Sequence, residues 1–113
     1  MKRGEVWTVS GGNDYAGKPR PCVVVQDDSF GGTDSVTICI FTTYEVDAPL
    51  FRLYVRPDER NGLHQASWLT VDKIATVPRS KIGERLGRLR DDDILRLNRS
   101  ALVFLGLASP RLA

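Results

Sequence analysis

The chain has 113 residues, 42% hydrophobic and 27% charged, which is the balance of one globular domain with a single core. This composition excludes the disordered and fibrous classes. Sixteen Lys and Arg against fourteen Asp and Glu give a net charge of +2, which permits a nucleic-acid partner but is less basic than is usual for a duplex-DNA binder.

The first half of the chain predicts three β-strands. Residues 4–9, 22–26 and 36–43 are short runs rich in β-branched side chains, too short for helices. The segment between the first two runs is rich in glycine and proline and predicts a loop, and residues 27–35 predict a turn. The third run alternates, with Val36, Ile38 and Ile40 expected on one face and Thr37, Cys39 and Phe41 on the other.

The second half predicts further short strands. Residues 50–55 alternate like a strand, and the Asn61-Gly62 pair marks a tight turn after them. Residues 67–77 supply one or two strands, and residues 84–89 form either a short strand or a turn of helix.

A helix is predicted at the end of the chain, with Asp91 or Asp92 as its N-cap. Gly106 is placed to stop it, and Pro110 prevents its resumption. The apolar residues that recur at helical spacing are Ile94, Leu97, Ala101, Leu102 and Leu105. The fold class is therefore mainly β (α+β), a small, strongly curved barrel with a C-terminal helix, in a single domain over residues 1–113.

The cellular setting is predicted to be the cytoplasm. No apolar run approaches the roughly 20 residues of a membrane span, and the basic start of the chain lacks an apolar signal core, so no membrane partner is expected. Cys22 and Cys39 each lie inside an apolar run, where a thiol serves as a small hydrophobic group. We expect both to be reduced and structural.

Few residues suggest chemistry. The chain has no phosphate-binding loop, dinucleotide fingerprint, zinc-protease motif or nucleophile elbow, and its one histidine, His64, is more typical of a solvated loop residue than of a catalyst. Pro19 and Pro21 fix the backbone on both sides of Arg20 where it enters a predicted strand. A rigidly held guanidinium suits phosphate recognition, although a surface arginine between two punctuating prolines is an equal alternative.

An ordered set of segments resembles the MazF/PemK/CcdB toxin superfamily. The resemblance covers nearly the whole chain in the family's order and spacing. Its segments are residues 3–7 (RGEVW), 17–26 (GKPRPCVVVQ), 40–43 (IFTT), 67–69 (SWL), 72–77 (DKIATV) and 101–107 (ALVFLGL).

The resemblance to MazF and PemK toxins implies a fold, an activity and partners. The fold would be an SH3-like barrel that forms a homodimer. The activity would be sequence-specific endoribonuclease cleavage of single-stranded RNA, with neither a metal nor another cofactor. A cognate antitoxin would neutralise the toxin.

The resemblance also implies the catalytic residues. Arg20 matches the family's arginine, and the catalytic threonine falls on Thr42, with Thr43 as the alternative. Asp72 matches an acidic residue that some relatives place near the scissile phosphate, where a carboxylate can accept the 2′-hydroxyl proton. A solvated acid at a strand end is the alternative for Asp72, and the general base stays open.

RNA contacts are expected from loop aromatics, which can stack on bases, and from basic or polar residues along the phosphate path. Aromatic residues on strands are expected mostly in the core. The expected RNA-binding residues are Asn13, Asp14, Tyr15, Lys18, Thr43, Tyr44, Ser67 and Lys73.

Two other functions compete with RNA cleavage. A CcdB-like toxin poisons gyrase through a Trp-Gly-Ile tail, and this sequence ends in Ser109-Pro110-Arg111-Leu112-Ala113 instead. A catalytically inactive barrel that binds RNA or antitoxin is the second alternative, and the presence of both Arg20 and Thr42 argues against it.

Overall fold

The computed structural model describes residues 1–10 and 18–110, and these form seven strands, three short 3-10 helices and one α-helix. The strands are β1 (Glu5–Ser10), β2 (Pro19–Val24), β3 (Ser35–Thr42), β4 (Arg52–Val55), β5 (Ser67–Thr70), β6 (Ala75–Pro78) and β7 (Ile82–Arg88). The 3-10 helices are Asp28–Phe30, Val71–Lys73 and Arg79–Lys81, and the α-helix α1 is Asp91–Phe104.

Strand β3 is the centre of the sheet. The strands follow the order β4-β5-β3-β2-β1-β7, every neighbouring pair is antiparallel, and β6 pairs with β3 beside β5. One edge of β3 therefore carries β2, while the other carries β5 near its end and β6 near its beginning. The ladders of the described strands do not close into a ring, so the sheet is barrel-like but open. The predicted fold class, mainly β with a C-terminal helix, is confirmed.

Both faces of β3 are covered, because two hydrophobic clusters pack on opposite sides of the sheet. Cys39 and Phe41 belong to the larger cluster, which includes Leu97 of α1. Val36 and Ile38 belong to the smaller cluster, with Ile40 packed against it. The predicted alternation along this strand is therefore confirmed.

Both cysteines are buried and unpaired, as predicted. Burial raises the pKa of each thiol to about 12, which removes the thiolate form at physiological pH. Cys22 and Cys39 are consequently packing residues and not nucleophiles.

Strand boundaries differ from the predicted ones by up to three residues, most of all at the start of β2. Strand β2 begins at Pro19, so Pro19 and Pro21 both lie inside it. Residues 19–21 have no matched partner on β3, because the β2–β3 pairs begin at Cys22. A proline, which lacks an N–H, is tolerated at such an unpaired strand edge. The Ile82–Arg88 segment is a strand along β1, which settles the alternative left open for that segment.

Helix α1 is shorter at its apolar end than predicted, and its cap differs. Its N-cap is Arg90 without a side-chain capping bond, and the three aspartates fill the first turn instead. Of the apolar residues that recur at helical spacing, Leu97 is buried, whereas Leu102 and Leu105 are 44% and 59% exposed. Gly106 follows the helix with φ +77°, as expected of a stop signal.

The helix is too short to cross a membrane, and no other described helix is long and apolar enough to do so.

Candidate active site

The cleft begins where β2 and β3 stop pairing. Cys22 is opposite Ile40 in the last matched pair of that ladder. Continuing this register by two residues brings Arg20 opposite Thr42 on the same face of the sheet. The sheet becomes solvent-exposed toward the end of β3: Ile40, which packs against the smaller cluster, is half-buried, and Thr43 and Tyr44 beyond it are exposed.

Two adjoining cavities, here called the cleft, lie over these strand ends. The first, of about 300 Å³, places Arg20 and Thr42 with His64 and Ser67. The second, of about 340 Å³, places Arg20 and Thr42 with Arg52. The two residues that resemble the catalytic pair of MazF-like toxins thus lie at the junction of both cavities.

The hydroxyl of Thr42 is held in place by the backbone. Thr42 is the last residue of β3, and its Oγ1 accepts a hydrogen bond of 3.1 Å from the Tyr44 N–H. Its own O–H can then donate to a ligand in the cleft. Thr43 also lines both cavities but is exposed beyond the strand end, so the structure gives Thr42 the more fixed hydroxyl.

A second arginine enters the cleft with its own carboxylate partner. Arg52 Nε and Nη2 donate to the two carboxylate oxygens of Asp72 at 2.7 and 3.0 Å. Both side chains are largely buried, at 11% and 21% exposure. This hydrogen-bonded pair lowers the pKa of Asp72 and raises that of Arg52, so both remain charged.

The predicted role of Asp72 as a base has a geometric difficulty. Both its oxygens are engaged by Arg52, and Arg52 lines the second cavity of the cleft, whereas Asp72 lines neither cavity. A carboxylate with a lowered pKa is also a weaker proton acceptor. The structure therefore places Asp72 behind Arg52 as the residue that orients it.

His64 reaches the cleft from a tight turn that sequence reasoning described only in part. The buried Asn61 organises this turn: its Oδ1 accepts from the N–H groups of Asp58 and Leu63, at 3.1 and 3.0 Å, and its Nδ2 donates to the Arg56 carbonyl at 2.9 Å. Gly62 follows with φ +69°, as the predicted Asn-Gly turn requires.

The turn lies directly against β7. A Cβ atom at Gly62 would meet the Leu86 carbonyl oxygen at 2.1 Å, and one at Gly87 would meet the Arg60 carbonyl oxygen at 2.0 Å. The Arg88 N–H donates to that Arg60 oxygen at 2.7 Å. The backbone carrying His64 is therefore held by direct contact with a strand.

The other predicted RNA-binding residues fall into two groups. Lys18 and Ser67 line the first cavity, and Thr43, Tyr44 and Lys73 line the cleft through the second. Asn13, Asp14 and Tyr15 lie outside the described residues.

Strand aromatics are not all in the core, contrary to expectation. Tyr54 is 45% exposed and Trp68 is half-buried, and their rings lie 5.4 Å apart on the outer face. For Arg52 the sequence left open a place on the phosphate path or a solvated charge, and for His64 it favoured a solvated loop residue. Only the pairing of distant segments reveals that they line the cleft.

Among residues 1–10 and 18–110, no group of three or more His, Cys, Asp or Glu side chains is positioned to hold a metal ion. The groups that line the cleft are guanidinium, ammonium, hydroxyl, amide and imidazole. Such a set binds anions by charge and hydrogen bonding.

These features define a small antiparallel β-domain with an arginine-lined cleft at the ends of its strands. Residues 2–105 match the family model of the PemK-like, MazF-like toxins of type II toxin-antitoxin systems. The chain belongs to that family.

Individual relatives agree with this assignment. The chain is 47% identical over 108 residues to a probable endoribonuclease MazF of Mycolicibacterium smegmatis, covering 96% of this chain and 99% of that protein. An endoribonuclease from a mycobacterial species, solved in complex with its cognate antitoxin, has a similar fold, with a TM-score of 0.79 at 22% identity over 97% of this chain and 99% of the other. The Mycobacterium tuberculosis toxin MazF-mt6 matches with a TM-score of 0.77 at 21% identity, over 92% and 98% of the two chains.

Proposed function

We propose that this toxin is an endoribonuclease that cleaves single-stranded RNA at a specific sequence, without a metal ion. The observation that carries the proposal is the meeting of Arg20 and Thr42 at the junction of an open cleft that also holds Arg52. The relative named as a probable endoribonuclease supports the same activity.

The nucleophile in this proposal belongs to the substrate. The 2′-hydroxyl of RNA attacks the adjacent phosphorus, the bond to the 5′-oxygen breaks, and the products carry a 2′,3′-cyclic phosphate and a 5′-hydroxyl. The protein has to align these atoms, stabilise the charge on the phosphoryl oxygens, and move one proton from the nucleophile and one to the leaving group.

Arg20 is proposed to bind the phosphoryl oxygens. A guanidinium stays protonated and presents a planar set of donors, so it stabilises charge and does not act as a base. Flanking prolines and five matched residue pairs between β1 and β2 limit its backbone motion. Preorganised donors of this kind contribute on the order of 10²–10³-fold in rate.

Thr42 and Arg52 are proposed to position the phosphate together with Arg20. The Thr42 hydroxyl, anchored by the Tyr44 N–H, can donate to a phosphoryl oxygen or the 2′-oxygen. Arg52 contributes a second guanidinium, with Asp72 as the positioning residue that holds it.

His64 is proposed as the group that moves a proton. It lines the first cavity with Arg20 and Thr42, and imidazole is the side chain best suited to proton transfer near neutral pH. Lys18 lines the same cavity, and its ammonium is suited to binding phosphate as a point charge.

The proposed partners are single-stranded RNA in the cytoplasm, a cognate antitoxin and a second copy of the chain. Several large apolar side chains at the end of α1 and after it are 44–72% exposed, which supports a further interface. They are Leu102, Phe104, Leu105 and Leu107. Light scattering of the purified protein across a range of concentrations tests the dimer.

The test of the activity uses a long unstructured RNA, purified toxin and EDTA. We expect cuts at one short sequence, mapped by primer extension, with 5′-hydroxyl products. A 2′-deoxy substitution just 5′ of the scissile phosphate should block cutting while the RNA still binds. Cutting of the deoxy substrate, 5′-phosphate products, or activity that requires a divalent ion would contradict the proposal.

A further inference from the structure

A third cavity adjoins the cleft on the outer face of the sheet. It has a volume of about 220 Å³ and shares the lining residue Arg52 with the cleft, so the two cavities are adjacent. We call it the aromatic pocket, after Tyr54 and Trp68, which line it together with Arg52, Arg96, Glu45 and Asp47.

Strand register fixes where the aromatic pocket lies relative to Thr42. Thr42 pairs with Trp68 of β5, and Trp68 pairs with Tyr54 of β4. Paired residues point to the same face, so these three side chains form one row across the sheet, continuing from Arg20. Neighbouring strands are about 5 Å apart, which places the backbone positions of Trp68 and Tyr54 about 5 and about 10 Å from that of Thr42.

The two rings form an accessible platform. Their centroids are 5.4 Å apart and the planes are tilted by 58°. Tyr54 is 45% exposed on a strand whose next residues in either direction, Leu53 and Val55, are buried in the core. A partly exposed aromatic side chain beside a cationic cleft is the kind of group on which unstacked RNA bases stack.

Charged groups surround this platform on two sides. Arg96 is fixed by hydrogen bonds of 2.8 Å to the Tyr54 carbonyl and to Asp93, and Arg52 is fixed by Asp72. Two arginines in the lining of the pocket suit contacts with the phosphates next to a bound base. Glu45 and Asp47 supply carboxylates, which accept hydrogen bonds from the N–H groups on a base edge.

We infer that the aromatic pocket is a base-specificity subsite that binds one nucleobase flanking the scissile phosphate, preferentially a base with N–H donors on its exposed edge. This inference rests on the proposed endoribonuclease function and adds to it one determinant of the recognised sequence. Tyr54 and Trp68 supply the stacking surface, while the two carboxylates select the base edge.

The test measures binding to an RNA oligonucleotide that spans a mapped cleavage site and carries 2′-deoxyribose at the scissile nucleotide. Each flanking base is removed in turn to leave an abasic position. With the wild-type protein, one abasic position next to the scissile phosphate should weaken binding about 5- to 100-fold, the range for one stacked base. The Tyr54→Ala variant should bind the intact RNA more weakly than wild type does. Removing the same base should then weaken binding to this variant only slightly further.

A control variant separates this effect from general loss of aromatic surface. Phe30→Ala removes a 66% exposed ring on the 3-10 helix Asp28–Phe30, away from both the cleft and the aromatic pocket. It should leave every abasic penalty unchanged. Trp68→Phe should retain most of the stacking and Trp68→Leu should lose it; if the half-buried Trp68→Leu does not fold, the exposed Tyr54→Ala carries the test alone.

The outcomes distinguish the subsite from the function. If Arg20-dependent cleavage occurs but the abasic penalties in Tyr54→Ala equal those of wild type, the subsite is wrong and the function stands. If purified toxin neither binds nor cuts any RNA, the proposed function fails. Coupling between Tyr54 and one abasic position, absent in Phe30→Ala, establishes the subsite.

Discussion

Replacing Asn61 with alanine should destabilise the protein more than any surface substitution in the same turn. The side chain is fully buried and makes three hydrogen bonds to the backbone of Arg56, Asp58 and Leu63. Alanine leaves two N–H groups and one carbonyl without these partners in a place where water has little access. Each such group costs on the order of 1–3 kcal/mol.

The expected total is about 3–5 kcal/mol, because some of these groups regain water when the turn relaxes. A domain of this size is stable by about 5–15 kcal/mol, so the loss is a large share. We expect the thermal midpoint to fall by about 10–20 °C.

Thermal and urea unfolding followed by circular dichroism measure this loss, with Glu59→Ala as the matched control. Glu59 is exposed in the same turn, and its replacement should change stability by less than about 0.5 kcal/mol. A loss below about 1 kcal/mol for Asn61→Ala would refute the view that this side chain organises the turn that carries His64.

Three further predictions concern the cleft. Arg20→Ala should reduce cleavage by about 10²-fold or more without changing the thermal midpoint by more than a few degrees, and Arg20→Lys should restore little; wild-type rates for Arg20→Lys in single-turnover cleavage would exclude the planar clamp. Because Asp72 has a lowered pKa, its ion pair with Arg52 stabilises the fold fully above the ordinary carboxyl pKa near 3.9 and loses this effect as pH falls through the lowered value. Asp72→Asn should therefore lower the free energy of unfolding at pH 7, and its difference from wild type should shrink toward zero in strong acid. Urea titrations from pH 7 to 2 measure this difference. A difference that does not depend on pH would contradict the pairing of Asp72 with Arg52. The cognate antitoxin should compete with labelled, uncleavable RNA, and RNA that stays bound at saturating antitoxin would show that inhibition acts elsewhere.

The combination of Arg20 with Thr42 was predicted from the sequence only through the resemblance to a toxin family. Their type and order matched a toxin family, and the register of β2 and β3 brings them together in the structure. The choice of Thr42 over Thr43 follows from the strand end and stays a prediction until cleavage by each variant is measured.

Other features depend on contacts between distant segments, which periodicity does not encode. Arg52 and Asp72 are 20 residues apart, and only the pairing of β4 with β5 brings Arg52 next to the 3-10 helix that holds Asp72. Tyr54 and Trp68 lie on alternating strands, where aromatic residues were expected mostly in the core, but their side chains contact each other on the outer face of the sheet.

Strand β3 has consequences for how the protein loses its activity. Thr42 is the last residue of β3, which is paired on both edges and covered on both faces. The amide hydrogens of β3 should therefore exchange with solvent only through global unfolding. Partial opening of α1 or β7 leaves this strand intact. Cleavage activity in rising urea should accordingly persist until the cooperative transition of the whole domain, and the two midpoints should coincide.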